Sequence, residues 1–144
     1  MTYNMERFLK AQEYNYSDAL AGIKNGYKQS CWMWYIFPQL KELGRSDTAK
    51  YYGIENLEEA RQYLQHKVLG ARLREISEVL LTLENNNPYE VMGGVDGLKL
   101  CSSMTLFAEV EGYDSVFGKV LDKYYNGNKD NHTVEILQNA NGNY

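Results

Sequence analysis

Residues 68–83, "VLGARLREISEVLLTL", decide the fold class because their apolar side chains repeat at helical spacing. The apolar positions recur at steps of three and four residues, and they are Val68, Leu69, Leu73, Ile76, Leu80 and Leu83. A repeat of this period lines one face of an amphipathic α-helix. The alternation of apolar and polar residues that is typical of strands hardly appears elsewhere. The sequence therefore predicts an all-α protein.

Helix start signals recur along the rest of the chain. Asn56 and Asn87 each stand three residues before a glutamate, a pattern typical of helix N-termini, and Asn15 stands three residues before an aspartate. Further helices are expected to begin at Asp96, at Asp114 or Ser115, and at Asp130. We expect about eight helices in an irregular array, forming a single compact domain over residues 1–138 with a frayed tail at 139–144.

Composition and charge exclude several classes of protein. The chain has 144 residues with 44% hydrophobic and 24% charged side chains, as expected for one globular domain. Residues 84–144 carry 4 basic against 9 acidic side chains, and no basic cluster suits a nucleic acid. The longest uncharged apolar run, residues 31–37, is far too short to span a membrane. With no signal segment and two cysteines in apolar surroundings, a cytoplasmic location is expected.

Residues 30–40, "SCWMWYIFPQL", contain both tryptophans of the chain. Pro38 disfavours helical geometry at the preceding residue and donates no backbone hydrogen bond, so we expect a helix to begin there. The residues before Pro38 are apolar on every face. They are expected to be buried all round, or to be buried on one side and to cover a ligand on the other.

The same segment carries a family resemblance. "SCWMWYIFPQL", "GRS", "LEEARQYLQHKVLGARL", "DGLKLCSSMTLF" and "VFGKVLDKYYNG" resemble a bacterial family named domain of unknown function 1810 (DUF1810), over roughly residues 5–137. The resemblance implies a small intracellular array of helices and implies no reaction. Cys31 and Cys101 stand where the family usually has other residues, which implies that neither cysteine performs chemistry essential to the family.

Candidate ligand-binding residues fall in these segments. Indole N–H groups need acceptors when buried, arginine binds carboxylate or phosphate, and a helix start offers N–H groups to an anion. Lys99 and Ser103, four residues apart, share one helical face. Lys99 with Ser102 or Ser103 is compatible with a Ser–Lys nucleophile pair. The candidates are Ser30, Trp32, Trp34, Tyr35, Gln39, Arg45, Ser46, His66, Arg72, Lys99 and Ser103. Each also has a structural interpretation: core packing for the aromatic residues, helix capping for Ser46 and His66, and close helix packing for Ser103.

Two functions remain open from the sequence. The first is binding of a small anionic or nucleotide-like ligand in an aromatic and basic pocket, with or without catalysis. The second is a protein–protein interaction module with an aromatic docking patch. The spacing of cysteines and histidines predicts no metal site, and the glycines form no nucleotide-binding loop, so no metal or cofactor is expected.

Overall fold

The computed structural model describes residues 3–27 and 32–140. In this part of the chain ten α-helices follow one another: α1 (Glu6–Glu13), α2 (Tyr16–Lys24), α3 (Met33–Ile36), α4 (Asp47–Tyr51), α5 (Leu57–Gln65), α6 (Lys67–Thr82), α7 (Pro88–Met92), α8 (Gly94–Glu111), α9 (Val116–Tyr125) and α10 (Asn131–Ala140). A 3₁₀ helix spans Lys41–Leu43 between α3 and α4. No strand forms within the described residues, apart from one isolated parallel bridge between Leu40 and Ile54. The predicted all-α class is confirmed.

Helix α8 lies at the centre of the array, where α5, α7, α9 and α10 pack against it. Its middle, residues 102–108, is buried on every side. The ring of Phe107 lies 5.4 Å from that of Tyr63 on α5 and 5.8 Å from that of Phe117 on α9, centroid to centroid. A helix buried all round needs apolar or small side chains at every position, which explains the composition of this segment.

Helix α6 confirms the amphipathic pattern of residues 68–83. Leu69, Leu73, Ile76 and Leu80 are fully buried against neighbouring helices, whereas Val68 at the start of the helix is exposed. The close corner between α5 and α6 requires a glycine, because a Cβ atom at Gly70 would lie 2.0 Å from the carbonyl oxygen of Leu64.

The predicted caps have different outcomes. The Asn56 side chain accepts a hydrogen bond from the backbone N–H of Glu59 (2.9 Å), and Asn87 accepts from Tyr89 (2.9 Å), so both caps are confirmed. The Asn15 cap is wrong, because the Asn15 amide donates backwards to the carbonyl of Ala11 (2.9 Å) and makes no cap bond to α2. The Asp96 start is also wrong. The left-handed backbone of Gly93 (φ 95°) turns the chain directly into α8 at Gly94.

The predicted helix start at Pro38 is wrong as well. The one-turn helix α3 ends before Pro38, and the chain then runs extended to the 3₁₀ helix. The extension has a tertiary cause, since the N–H of Ile54 donates to the carbonyl of Gln39 and the N–H of Lys41 donates to the carbonyl of Ile54, both at 2.8 Å. These bonds to a distant segment replace the local bonds of a helix.

The helix count exceeds the expected eight because short elements such as the one-turn helix α3 count separately. The predicted tail begins at residue 139, but α10 includes Asn139 and Ala140, and residues 141–144 lie outside the described part. Among the described helices, none is long and apolar enough to cross a membrane.

Candidate functional site

A cleft of about 400 Å³ opens where the first turns of α8 face the end of α9 and the start of α10. Its volume lies in the usual range for small-molecule sites, roughly 300–1,000 Å³. Residues from five helices and the loops beside them line it: Gln39, Leu43, Tyr89, Val95, Leu98, Lys99, Cys101, Ser102, Tyr125, Lys129, Asp130 and His132.

One wall of the cleft is an exposed apolar rim, formed by Tyr89, Val95 and Leu98. These side chains are 46%, 66% and 60% exposed, respectively. Gly97 lies between the latter two and allows α7 to approach, because a Cβ atom there would lie 2.7 Å from the Tyr89 ring. Neighbouring large apolar side chains on a surface commonly mark a place where a ligand or a partner binds.

The polar wall of the cleft is organised around Asp130, which precedes α10 and caps its first turn. One oxygen of its carboxylate accepts hydrogen bonds from the Ser102 hydroxyl (3.1 Å) and from the N–H and hydroxyl of Thr133 (3.1 and 2.5 Å). The N–H of Asp130 donates to the buried Thr105 hydroxyl at 2.9 Å. Asp130 is therefore fixed by α8 and α10 together, and it gives this wall a permanent shape.

Two lysines bring positive charge to the cleft. The Lys99 ammonium lies 5.0 Å from the centroid of the Trp34 ring and 3.9 Å from an oxygen of Asp96. The Lys129 ammonium lies 4.3 Å from the centroid of the Tyr113 ring. The lining contains these two lysines and Asp130, and Asp96 offsets part of the charge of Lys99 from outside the cleft.

The Cys101 thiol lines the cleft and is held protonated. Burial, followed by the negative charge of Asp130, raises the pKa of the Cys101 thiol to about 11. Because the thiolate is the nucleophilic form of cysteine, this environment opposes covalent catalysis by Cys101. The neighbouring Tyr125 hydroxyl donates to the carbonyl of Gly97, and burial raises the pKa of Tyr125 above its ordinary value.

A small recess of about 10 Å³ adjoins the cleft and shares Gln39 and Lys99 with it. The rest of its lining is Met33, Trp34, Phe37, Ala49, Tyr52 and Gly53. The indole nitrogen of Trp34 is buried, and it has no hydrogen-bond acceptor among the described residues. The lining of the recess therefore includes a cation and an amide, and one of its residues, Trp34, has a buried N–H donor.

Comparisons with known proteins support the resemblance seen in the sequence. The family described as "Protein of unknown function (DUF1810)" matches residues 2–137. This chain belongs to the DUF1810 family. A similar solved structure is that of the conserved hypothetical protein Rv1873 from Mycobacterium tuberculosis, with 43% sequence identity and a TM-score of 0.92. That match covers 94% of this chain and 97% of the other. The search of functionally curated proteins found no match.

Three of the predicted site residues of this DUF1810 chain meet at the recess: Trp34, Gln39 and Lys99. Tyr35 lies beside them, with its ring 5.3 Å from that of Tyr52, another residue of the recess lining. The structure thus brings four candidates from two distant segments close together.

The other candidates lie elsewhere. Trp32 is 2% exposed and packs in the core. Ser103 is fully buried on α8, and its hydroxyl has no hydrogen-bond partner among the described residues. Arg45 is exposed on the surface. Ser30, like Cys31, falls outside the described residues.

Two candidates serve as helix caps in the DUF1810 fold. The Ser46 hydroxyl accepts a hydrogen bond from the N–H of Ala49 (3.1 Å) at the start of α4. The His66 Nδ1 atom accepts from the N–H groups of Val68 (3.1 Å) and Leu69 (3.3 Å) at the start of α6. Their structural interpretation as caps is confirmed.

Arg72 joins a different network, on the α1, α2 and α6 side of the molecule. Its guanidinium donates to the side chain of Gln12 (3.3 Å) and lies 5.1 Å from the centroid of the Tyr16 ring. The Gln12 amide donates in turn to the backbone oxygen of Tyr35 at 2.7 Å. Arg72 thus supports the polypeptide next to Trp34 without lining the recess.

Most of the cleft was missed by sequence reasoning, notably Tyr89, Leu98, Tyr125 and Lys129. One signal was available, because Val95 and Leu98 put large apolar side chains in the first turns of a helix that is also apolar on its buried side. No local sequence pattern predicts that residues 125–132 lie close to this helix, because their position depends on how α8, α9 and α10 pack.

Among the described residues, no group of three or more histidine, cysteine, aspartate or glutamate side chains could hold a metal ion.

Proposed function

We propose that this protein binds a small anionic or nucleotide-like molecule in the cleft between the start of α8 and the start of α10. The observation that carries the proposal is the cleft itself: about 400 Å³, with an apolar aromatic rim and two lysines on its lining. Ligand sites commonly combine apolar walls with a few polar groups that orient the ligand. A flat apolar body would contact Tyr89, Val95 and Leu98, and its anionic end would be attracted to Lys99.

The groups of the cleft favour binding over nucleophilic catalysis. Cys101 is protonated at neutral pH, since its thiol pKa is raised to about 11. The Ser102 hydroxyl donates to Asp130, which is occupied as a helix cap. No residue is therefore assigned a catalytic role in this proposal.

A thermal-shift screen with nucleoside monophosphates and aromatic carboxylates tests the proposal. A ligand present at 100 times its Kd adds about 2.7 kcal/mol to the free energy of unfolding, which raises Tm by about 5–10 °C for a domain of this size. The Leu98→Asp variant should abolish the shift, because it puts a negative charge on the apolar rim.

Val68→Asp is the matched control, since Val68 is another exposed apolar side chain near the start of a helix and does not line the cleft. It should retain the shift. If no anionic compound raises Tm, or if both variants respond equally, the cleft is not the binding site.

The exposed rim also supports a second function, a protein–protein interaction. Trp32 is buried in the core and Trp34 is only partly exposed, so an aromatic docking patch would use Tyr89 together with Val95 and Leu98 rather than the tryptophans. Leu98→Asp would then abolish the capture of a protein partner in a pull-down from cell extract while no small anion changes Tm. A shift in Tm without such a partner favours the ligand site.

A further inference from the structure

We propose that the recess beside the cleft binds the carboxylate group of a monocarboxylic acid, whose hydrocarbon or aromatic body lies in the cleft. This inference rests on the proposed function and names the class of ligand. Trp34 and Lys99 hold the carboxylate, and Gln39 completes its polar surroundings.

The Trp34 indole gives the first argument. An indole N–H only donates hydrogen bonds, and burying it without an acceptor costs free energy. The Trp34 nitrogen is buried without an acceptor among the described residues, and its side chain lines the recess. An oxygen atom held in the recess accepts from this N–H and removes the cost.

The charge of the lining gives the second argument. Lys99 is the one charged residue among those that line the recess, and its ammonium lies 5.0 Å from the centroid of the Trp34 ring. A carboxylate oxygen between the two groups accepts from the indole N–H while the other oxygen contacts the ammonium. Hydrogen bonds in which one partner is ionised are about twice as strong as neutral ones.

Size and net charge favour a carboxylate over a phosphate. The recess has about 10 Å³ of free volume, about enough for one water-sized group. A planar carboxylate can insert one oxygen there, whereas a tetrahedral phosphate needs more space around the same atom. Lys99 carries the single positive charge of the recess lining, which matches a monoanion.

Nuclear magnetic resonance of the indole N–H groups tests the inference directly, with benzoate as the probe. The chain has two tryptophans, and a Trp34→Phe variant identifies the Trp34 signal by its loss. Benzoate should move the Trp34 signal, and benzamide, its neutral counterpart, should bind at least about tenfold more weakly. This comparison uses the unmodified protein, so it does not depend on whether a variant folds.

Variants then separate the two donors. Trp34→Phe keeps an aromatic ring and removes the N–H, and Lys99→Met removes the charge, so each should weaken benzoate binding by about ten- to a hundredfold in calorimetry. Asp96→Asn should strengthen it by about twofold, because Asp96 competes for Lys99 at 3.9 Å. Lys119→Met, an exposed lysine of α9 that lines neither cavity, should leave binding unchanged.

Three results would overturn the inference while leaving the proposed function in place. The first is equal binding of benzoate and benzamide. The second is binding of phenyl phosphate that is more than tenfold tighter than binding of benzoate. The third is a shift of the Leu98 methyl signals by benzoate without any shift of the Trp34 indole signal. Absence of any shift in the cleft with benzoate, phenyl phosphate and nucleoside monophosphates would overturn both proposals.

Discussion

The first turns and the middle of α8 contain similar apolar residues in opposite surroundings. In the middle, Met104, Leu106 and Phe107 are fully buried, and neighbouring helices fill the space around them. Toward the N-terminus, Val95 and Leu98 stand exposed beside the cleft. The difference shows that apolar character alone does not separate core from site, because what matters is whether another helix covers the side chain.

The largest expected effect is in the buried middle of α8. Phe107→Ala should lower the free energy of unfolding by about 3–5 kcal/mol, because it leaves a cavity between Tyr63 and Phe117. This loss lowers the ratio of folded to unfolded protein more than about a hundredfold. Urea denaturation followed by circular dichroism measures the change. Val95→Ala on the exposed end is the control, and equal losses for the two variants would contradict the comparison.

Cys101 lies between the exposed first turns of α8 and its buried middle. Because its thiol pKa is raised to about 11, the thiol stays neutral below that pH and becomes a thiolate only as the pH rises through it. Alkylation by iodoacetamide in a Cys31→Ser background should be about a hundredfold slower at pH 8 than expected for an exposed cysteine.

The midpoint of the alkylation rate against pH should lie near 11. Asp130→Asn should move the midpoint to lower pH, because it removes a nearby negative charge. A midpoint near 8.5, the ordinary pKa of a free cysteine, would show that the Cys101 thiol is open to water.

Thr105 connects the core to the cleft and should show a smaller effect. Thr105→Val keeps the shape of the side chain but leaves the N–H of Asp130 without its acceptor, which should cost about 1–3 kcal/mol of unfolding free energy. Differential scanning calorimetry measures the loss. Thr82→Val, at an exposed position on α6, should change stability by less than about 0.5 kcal/mol.

The smallest effect on stability is expected at the exposed end. Leu98→Ser should change the free energy of unfolding by less than about 0.5 kcal/mol, because the side chain is already largely in water. The same variant should weaken ligand binding in the cleft. A destabilisation of 2 kcal/mol or more, roughly what a buried leucine would cost, would show that Leu98 belongs to the core.

Part of the candidate site could be predicted from the sequence. Trp34 and Gln39 were selected because an aromatic segment with polar groups at its margins is chemically unusual, and Lys99 because it lies on an apolar helix. His66 and Ser46 were correctly given a capping interpretation. The sequence did not predict that Trp32 is buried in the core while Trp34 is partly exposed. The two tryptophans lie two residues apart in the same apolar segment, so their local sequence contexts are alike.

The cytoplasmic location and the absence of nucleic-acid binding remain predictions from composition and charge. Both can be tested on the intact protein, by fractionating the source cells and by measuring DNA and RNA binding at low salt, where phosphate contacts are strongest.

The sequence by itself determined the helical class, the amphipathic face of α6, and the caps at Asn56 and Asn87, because each depends on residues within a few positions of one another. Tertiary structure decided the rest. The bonds of Gln39 and Lys41 to Ile54 turned a predicted helix at Pro38 into an extended segment. The packing of α8 against α9 and α10 created the cleft, and the recess beside it is lined by both Trp34 and Lys99. The sequence could not predict these cavities, because contacts between residues far apart in the chain leave no local sequence pattern.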